Sequence, residues 1–545
     1  MFFSRELAGS IKKYAFPILL CLIVPAVLFP VLKNGFVDWD DMQYVVLNRA
    51  LRGPWSGVFT FFPGYYHPVT ILTYKLEFAL FGLNPLPYHF VSLALHVVNC
   101  VSVFYLFKML GARPGAAFIG ALLFGIHPAH VEPVAWISGR KELLWGMFSF
   151  WALIAYLRYI NGGGRKFTVY SLVFFTLAVL SKPTALVFPF IILLADHYRG
   201  REFNARLLAE KVPYLLIAAV GFMLSRSPSG FLLGGGGGVS FLNAAASAAQ
   251  SALFYARKFA APRALSALYP ALDLPLSPGK YLIALFFAAV LIAAAFLISR
   301  RAGAEAPLNE GSEKARAPSA GRKIIFGLGY FFVAAFPGLI LSPPADRYAY
   351  VPAAGLCFLY GELLSGFYGA ARVNGGPPSG LRARFRAGAV VALAAAHFFI
   401  LGASAFNRTF VWKDSLTLWE DVLSKYPLYL AFYGRGNARQ AAGQYAGALA
   451  DFTRCLELCP GYWKALGNRG RTFAEIKRFD DAISDYGKAI ELNPASPQLF
   501  LNRGNAYFFQ GNWRMAVKDY DMALAIAPDF PQAAENRRLA AAKIK

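Results

Sequence analysis

Two adjacent carboxylates, Asp40 and Asp41, follow Trp39 shortly after the first apolar stretch of the chain. They stand near the start of a segment of roughly 55 residues that reaches to the next apolar stretch, and connections of that length are usually functional or disordered. This one is too rich in aromatic side chains for disorder. A carboxylate beside a reacting hydroxyl can take its proton as a general base, although Asp is also a preferred helix N-cap. The spacing alone leaves both roles open.

Cationic and imidazole side chains occur in turns that are distant in sequence from this pair. Cations can stabilise the negative charge that develops on a leaving phosphate, and Arg can bind a phosphate through two parallel hydrogen bonds. A base together with phosphate-binding cations is the set of groups that glycosyl transfer from a lipid phosphate requires. The alternative role for each cation is an anchor at the membrane interface. The candidate phosphate-binding or substrate-binding residues are His67, His127, His130, Glu132, Arg140, Lys141, Lys182 and Arg347.

A metal site is an alternative interpretation of one of these turns. His127 and His130, three residues apart, could share a helix face and bind a metal together with Glu132. Because Pro128 interrupts that helix, we favour histidines that make structural hydrogen bonds or contact the substrate. We therefore expect no metal site and no obligatory cofactor.

The composition is that of a membrane protein. Hydrophobic residues make up 57% of the chain and charged residues 15%, with a mean hydropathy of +0.44, whereas soluble domains carry about 25% charged residues. The net charge of +24 resides largely in short loops, as is typical of cytoplasmic loops, and we exclude nucleic acid as a partner. The five cysteines show no disulfide or zinc framework.

Apolar windows of about 20 residues predict about eleven membrane spans within residues 1–406, with the N-terminus in the cytoplasm. The segment 241–262 is rich in small residues and is interpreted as interfacial or re-entrant. Residues 234–238 form a glycine tether, and 303–320 a disordered cytoplasmic loop. This topology puts the first loop, 33–87, and the candidate site residues on the outer face. The predicted spans are 14–32, 88–110, 115–136, 141–160, 168–181, 183–198, 211–226, 281–299, 324–342, 347–369 and 387–405.

The last part of the chain repeats itself. Equivalent positions 34 residues apart hold Gly436, Gly470 and Gly504, and further columns hold proline, alanine and aromatic residues, which is the signature of tetratricopeptide repeats, each a pair of antiparallel helices. We expect three repeats at 429–530. A linker with a degenerate half repeat precedes them at 407–428, and a capping helix follows at 531–545.

Short polar motifs stand in order along the chain: 36–41 (FVDWDD), 67–73 (HPVTILT), 88–96 (YHFVSLALH), 123–132 (LFGIHPAHVE), 139–143 (GRKEL), 180–182 (LSK) and 347–352 (RYAYVP). Their succession, and the order of apolar spans followed by repeats, resemble the transmembrane and tetratricopeptide-repeat-containing O-mannosyltransferases. The resemblance implies an all-α, polytopic GT-C glycosyltransferase fold followed by a helical solenoid. It also implies a polyprenyl-phosphate-sugar donor, an active site on the outer face and a catalytic role for the acidic pair. Between the two carboxylates we favour Asp41 slightly over Asp40 as the base.

We accordingly expect an inverting transferase that moves a hexose, mannose by resemblance to the family, to a hydroxyl of an exported protein or glycan. The basic, glycine-rich loops suggest a bacterial inner-membrane protein with an undecaprenyl carrier. Its active site and repeats would be periplasmic, and protein partners could bind the repeats. Two other classes remain open. A non-catalytic membrane scaffold would need no charges collected on the outer face, and a transporter would show mid-span charges and an internal inverted repeat.

Overall fold

The computed structural model describes residues 2–60, 66–225, 241–270, 318–341, 344–370 and 381–544. Within these ranges the chain is helical and contains no strand, which confirms the all-α prediction. The predicted span 281–299, the glycine tether 234–238 and most of the predicted loop 303–320 lie outside the described residues. The chain divides into two compact units, Met1–Lys413 and Asp414–Lys545.

Helices of the first unit are apolar around much of their surface, as helices that span a membrane or lie fully buried must be. Several begin with a proline at the first or second position, where its missing N–H costs no hydrogen bond. The helices of this unit are α1 (Phe2–Leu28), α2 (Arg49–Arg52), α3 (Pro68–Phe81), α4 (Pro85–Met109), α5 (Pro114–Ile126), α6 (Val131–Ala135), α7 (Arg140–Arg158), α8 (Lys166–Ser181), α9 (Phe188–Arg199), α10 (Ala205–Ala209), α11 (Val212–Leu224), α12 (Phe241–Ala260), α13 (Ala320–Leu341), α14 (Ala353–Ala370) and α15 (Leu381–Thr409).

Among the described residues, five helices are long and apolar enough to cross a membrane, or six if the pair α5 and α6, bent by 56°, is one span. The protein is therefore a multi-pass membrane protein, while the predicted number of spans stays a prediction. Helices lie at every predicted span that falls within the described residues. The five coincide with the predicted spans 14–32, 88–110, 141–160, 211–226 and 387–405.

The segment 241–262, predicted to be interfacial or re-entrant, contains α12. Two side chains of this helix, Ala252 and Tyr255, pack on Phe331 and Ala335 of α13. The helix is thus joined to the core of the first unit, and its position relative to the membrane stays a prediction.

The loop 33–87 is called the first outer segment after its predicted location, and its described residues are ordered by aromatic and aliphatic side chains, as its composition suggested. Tyr44, Leu51 and Ile71 belong to one buried cluster that also contains Ile137 of the turn before α7. The buried ammonium of Lys75 donates to the carbonyl oxygens of Ala50 at 2.7 Å, Gly53 at 2.8 Å and Pro54 at 3.2 Å. This single cation therefore satisfies the carbonyls at the end of α2 and fixes α2 onto α3.

The second unit consists of paired helices and confirms the tetratricopeptide prediction. The predicted boundary after residue 406 falls inside α15. The second unit begins at Asp414, which caps the first helix by accepting from the Thr417 N–H at 2.8 Å. The helices are α16 (Ser415–Leu423), α17 (Tyr429–Ala441), α18 (Tyr445–Leu458), α19 (Trp463–Glu475), α20 (Phe479–Leu492), α21 (Pro497–Phe509), α22 (Trp513–Ile526) and α23 (Pro531–Ile544).

Glycine is required where the two helices of a repeat touch. A Cβ at Gly436 would meet the Phe452 ring at 2.7 Å, and one at Gly504 would meet the Tyr520 ring at 2.7 Å, both closer than carbon atoms can approach. The repeated glycine column is therefore a consequence of helix packing.

Candidate active site

Asp41 is an anchor between the first outer segment and the turn that precedes α7. Its Oδ1 accepts from the Ser138 N–H at 2.9 Å and the Ser138 hydroxyl at 2.5 Å. Its Oδ2 accepts from the Val37 N–H at 3.1 Å. The carboxyl group is buried, and burial raises its pKa from 3.8 to about 6, although the three hydrogen bonds oppose that shift. Both oxygens of Asp41 are thus committed within the fold.

Asp40 has a different environment, because adjacent residues in this turn direct their side chains apart. Its side chain is 31% exposed, and its Oδ2 lies 3.4 Å from the Nζ of Lys141 at the start of α7. This carboxylate is accessible and faces a cation, whereas Asp41 is enclosed.

Trp136 supports two cations. The Nζ of Lys141 lies 5.4 Å from the centre of the Trp136 ring, and the guanidinium of Arg347 lies 5.3 Å from it, both within the range of a cation–π interaction. Trp412 stacks on the Trp136 ring at 5.9 Å, and Trp39 meets it edge-on at 6.2 Å. These contacts hold the ring, and with it both cations, in place.

Glu132 orients Arg347. Its Oε1 accepts from the guanidinium at 2.7 Å and its Oε2 from the Arg347 backbone N–H at 3.1 Å. The Arg347 side chain remains 16% exposed, so the pair leaves part of the guanidinium accessible. Glu132 was predicted to contact the phosphate or substrate, and its observed contacts are those of a residue that positions the arginine.

Lys182 and His67 complete this part of the site. The Lys182 ammonium pairs with Glu142 and lies 4.8 Å from the centre of the Tyr348 ring. Burial, together with the charges of Lys141 and Lys182, lowers the pKa of His67 to about 3, so its imidazole is neutral at physiological pH. The cations Lys141, Lys182 and Arg347 are hereafter called the basic cluster.

Three residues predicted to bind a ligand, Arg140, His127 and His130, are buried and hydrogen-bond other parts of the protein. Arg140 is fully buried, pairs with Glu77 and donates to the Tyr88 carbonyl at 2.6 Å. It therefore joins α7 to α3 and α4 and is not placed to reach a donor phosphate. A guanidinium with no exposed surface can take a ligand only if the core opens, and the role of Arg140 in phosphate binding stays a prediction.

His127 and His130 are also structural. The Nε2 of His127 hydrogen-bonds the Phe259 carbonyl at 3.0 Å, and its Nδ1 accepts from the Ala129 N–H at 3.2 Å. The Nδ1 of His130 bonds the Phe124 carbonyl at 2.7 Å. Within the described ranges no group of three or more His, Cys, Asp or Glu side chains is arranged to hold a metal. The hydrogen-bonded interpretation of these histidines fits these contacts, and their role in substrate binding stays a prediction.

Sequence reasoning missed Ser138 and Trp136 as parts of the site. Ser138 lies 97 residues from Asp41, with which it makes the shortest hydrogen bond of that carboxylate. No local pattern marks either residue, because their importance comes from contacts between distant turns.

Comparison with known proteins gives two kinds of match. Residues 66–228 match the family described as dolichyl-phosphate-mannose-protein mannosyltransferase, and residues 470–511 and 497–530 match tetratricopeptide repeats. The first match contains His67, Lys141 and Lys182, while Asp40 and Arg347 lie outside it.

Curated relatives are protein O-mannosyl-transferases. TMTC1 of Homo sapiens is 38% identical over 99 residues, which are 18% of this chain and 11% of the relative. F38B6.6 of Caenorhabditis elegans is 27% identical over 222 residues, which are 37% of this chain and 31% of the relative. The chain thus spans less than a third of the length of these relatives, and the family resemblance seen in the sequence is confirmed.

Among solved structures, the first tetratricopeptide domain of Spaghetti (RPAP3), bound to the HSP90 peptide SRMEEVD, is 26% identical. The matched region is 21% of this chain and 92% of the solved domain, with a TM-score of 0.21.

Proposed function

We propose that this chain transfers mannose from a polyprenyl-phosphate-mannose donor to a hydroxyl group of an exported polypeptide, with inversion at the sugar C1. The observation that carries the proposal is the pairing of the accessible Asp40 carboxylate with Lys141, beside the basic cluster, in a chain similar to protein O-mannosyl-transferases. A base and a set of cations in one place are what this reaction needs.

Asp40 is the proposed general base and Asp41 the positioning residue, which reverses the slight preference drawn from the sequence. A base must approach the acceptor hydroxyl, and Asp40 is 31% exposed whereas Asp41 is 1% exposed with both oxygens bonded to the protein. The bonds of Asp41 fix the backbone from which Asp40 projects.

In the proposed step the acceptor oxygen attacks C1 of the sugar while its proton passes to the Asp40 carboxylate. The bond between C1 and the phosphate oxygen breaks, and its electron pair leaves with the phosphate. Since the phosphate departs as a stable anion, no general acid is required. Lys141 and Arg347, held on Trp136, and Lys182 would stabilise the growing charge.

The proposed location follows the positive-inside rule: a bacterial inner membrane, with the site and the repeats on the periplasmic side and an undecaprenyl carrier for the sugar. The proposed acceptor is a polypeptide because the named relatives are protein O-mannosyl-transferases; a glycan acceptor is the competing outcome.

The decisive test replaces Asp40 by Asn in the full-length protein, reconstituted with mannosyl-phosphoryl-undecaprenol and a Ser/Thr peptide. Removal of the base should lower turnover by about 10²–10⁴ and leave the donor Kd nearly unchanged. Glu202→Gln, at an exposed carboxylate in the stretch before α10, is the matched control and should have no effect. Full activity of Asp40→Asn would disprove the assignment, and unaltered biological function of both Asp40→Asn and Asp41→Asn would favour the scaffold interpretation.

Substitution of the basic cluster should separate donor binding from base catalysis. Arg347→Gln should weaken donor binding and turnover together, because the lost charge-assisted hydrogen bonds act on the phosphate both before and during departure. The donor Kd should rise by roughly tenfold, measured by titration with labelled lipid. Arg165→Gln removes an exposed arginine elsewhere and should leave the Kd unchanged; an unaltered Kd in Arg347→Gln itself would remove that residue from the phosphate site.

A further inference from the structure

A narrow groove of about 160 Å³ lies between the end of α7 and the start of α8, at the opposite ends of these helices from Lys141 and Lys182. Helix α7 belongs to a segment that is long and apolar enough to cross a membrane, and α8 is a shorter apolar helix. In each helix the lining residues lie three, four or seven positions after the first of them, which puts them on one face. They are Trp151, Ile154, Ala155 and Arg158 of α7, and Phe167, Tyr170 and Phe174 of α8.

Aromatic rings form the apolar walls of the groove. The indole N–H of Trp151 donates to the Ser102 hydroxyl of α4 at 2.9 Å, so the polar atom of this ring is used inside the protein. Phe174 meets the Trp151 ring edge-on at 5.4 Å, and Phe167 meets Tyr170 edge-on at 5.8 Å. The rings are thus held by one another and by α4, and they offer a ligand an apolar surface.

Two cations stand beside Phe167, at the end of the groove nearest the α7–α8 turn. The guanidinium of Arg158 lies 5.5 Å from the centre of the Phe167 ring and the ammonium of Lys166 lies 5.4 Å from it, both within the range of a cation–π interaction. Both side chains are exposed, and within the described part of the chain neither forms an ion pair with a carboxylate. The sequence between Glu142 and Asp196 contains no acidic residue, so this turn is purely basic.

The size of the groove suits a hydrocarbon chain better than a soluble ligand. Pockets for small molecules usually measure about 300–1,000 Å³, so this groove holds only part of such a molecule. An acyl chain needs only a narrow apolar channel, because the rest of the lipid stays in the bilayer. Val169 and Val173, on the neighbouring face of α8, are exposed apolar side chains in the described structure, so the groove adjoins a surface that is suited to contact with lipid.

The charge at the turn selects among lipids. A phosphate diester accepts charge-assisted hydrogen bonds from Arg and Lys, and basic pockets between membrane helices bind acidic headgroups. A headgroup with a net negative charge therefore complements Arg158 and Lys166. A zwitterionic headgroup brings a cation of its own to the same place, which opposes binding.

We propose that the groove binds one anionic phospholipid of the surrounding bilayer, with its phosphate at Arg158 and Lys166 and one acyl chain along Trp151 and Phe174. Because the lipid contacts both helices, it stabilises the packing of α7 on α8. The same two helices position two members of the basic cluster at their other ends. The binding itself does not depend on the proposed transfer function.

The test measures lipid binding to the purified, delipidated full-length protein by native mass spectrometry. Phosphatidylglycerol and phosphatidylcholine with identical acyl chains are titrated separately. Phosphatidylglycerol should occupy one site about tenfold more tightly than phosphatidylcholine, since each basic residue adds to the attraction of an acidic headgroup, and it should raise the thermal midpoint. Glycerol 3-phosphate carries the charge without the acyl chains and should not bind at the same concentrations; equally tight binding of this compound would overturn the assignment to a lipid.

Variants distinguish the groove from general charge. Arg158→Gln combined with Lys166→Gln should remove the preference for phosphatidylglycerol. Lys108→Gln combined with Arg113→Gln removes the same charge from two exposed cations beside the α4–α5 turn and should keep the preference. Ile154→Phe places a larger side chain in the half-buried wall of the groove and should weaken the binding of both lipids while both cations remain.

Unchanged lipid binding in the variant at Arg158 and Lys166 would overturn the proposal, and this is the result expected if another part of the chain or a second copy covers the groove. Equal losses in the two double variants would show attraction by general charge and would overturn it as well. The thermal midpoint of each variant without lipid controls for folding. Asp40→Asn should bind the lipid as the wild type does, so failure of the transfer proposal and failure of lipid binding are separate results.

Discussion

Two neighbouring carboxylates illustrate how far residue type can predict a role. The sequence marked Asp40 and Asp41 as a pair, because adjacent acids beside tryptophan in a long aromatic segment are uncommon. It could not assign the roles, since these depend on contacts with Ser138 and Lys141, about a hundred residues away. Burial and hydrogen bonding distinguish the enclosed Asp41 from the accessible Asp40, and the proposed role of base follows from that difference.

Arg140 and Lys141 show the same limit for cations. Both stand at the start of α7, and the sequence assigned both to phosphate. Successive helical residues point in directions about 100° apart, so one side chain reaches Glu77 in the core and the other reaches Asp40. The geometry of the helix makes the two side chains diverge. The sequence alone does not tell which of them faces the core, because that depends on how α3 and α4 pack against α7.

The raised pKa of Asp41 predicts a dependence of stability on pH. Because the folded-state pKa is about 6 and the ordinary value is 3.8, the folded protein holds this proton more tightly than the unfolded chain does. This contribution to stability is therefore fully present below about pH 4 and is lost as the pH rises through about 6. Thermal midpoints of the purified protein between pH 4 and 7 should show that decline, relative to Asp41→Asn, in which the titrating group is absent. If the thermal midpoints of the two proteins varied with pH in the same way, the raised pKa of Asp41 would be contradicted.

Helices and repeats were predictable because they follow from composition and period. Long apolar runs mark helices that can span a membrane, and a recurring period marks paired helices. The organisation of the first outer segment was not predictable, because it depends on a buried lysine. Lys75 was one of several charged residues in that segment, and nothing in its neighbourhood indicates that its ammonium binds backbone carbonyls of α2.

Replacement of Lys75 tests directly whether this lysine orders the first outer segment. Lys75→Met keeps the length of an aliphatic side chain but leaves several carbonyl oxygens without their donor. Each buried acceptor left unsatisfied costs about 1–3 kcal/mol, so the outer segment should open locally and become sensitive to protease. Limited proteolysis followed by mass spectrometry should show cleavage between Arg49 and Lys75. Lys166→Met, at an exposed position, should leave the digestion pattern unchanged, and an equally resistant Lys75→Met would show that the aromatic cluster alone orders the segment.

The whole molecule combines a multi-pass membrane unit with a repeat unit, and its charge distribution predicts their orientation. Basic residues flank the turn between α7 and α8, at Arg158, Arg165 and Lys166, while Asp40 and the basic cluster gather around the opposite end of α7. Since cytoplasmic loops carry an excess of Lys and Arg, the α7–α8 turn should face the cytoplasm. In that orientation the candidate site faces outward, as the proposed transfer from a lipid-linked sugar to an exported polypeptide requires.

Alkaline phosphatase fusions test this orientation, because the enzyme folds only in an oxidising compartment, where its disulfides form. In a bacterial host, a fusion after Lys545 should be active if the repeats are periplasmic, and a fusion after Gly164 should be inactive. Green fluorescent protein at the same two positions should give the reciprocal result and controls for expression. Activity after Gly164 with inactivity after Lys545 would reverse the topology. In that case Asp40 and the basic cluster would face the cytoplasm, and an acceptor exported before modification could not reach them.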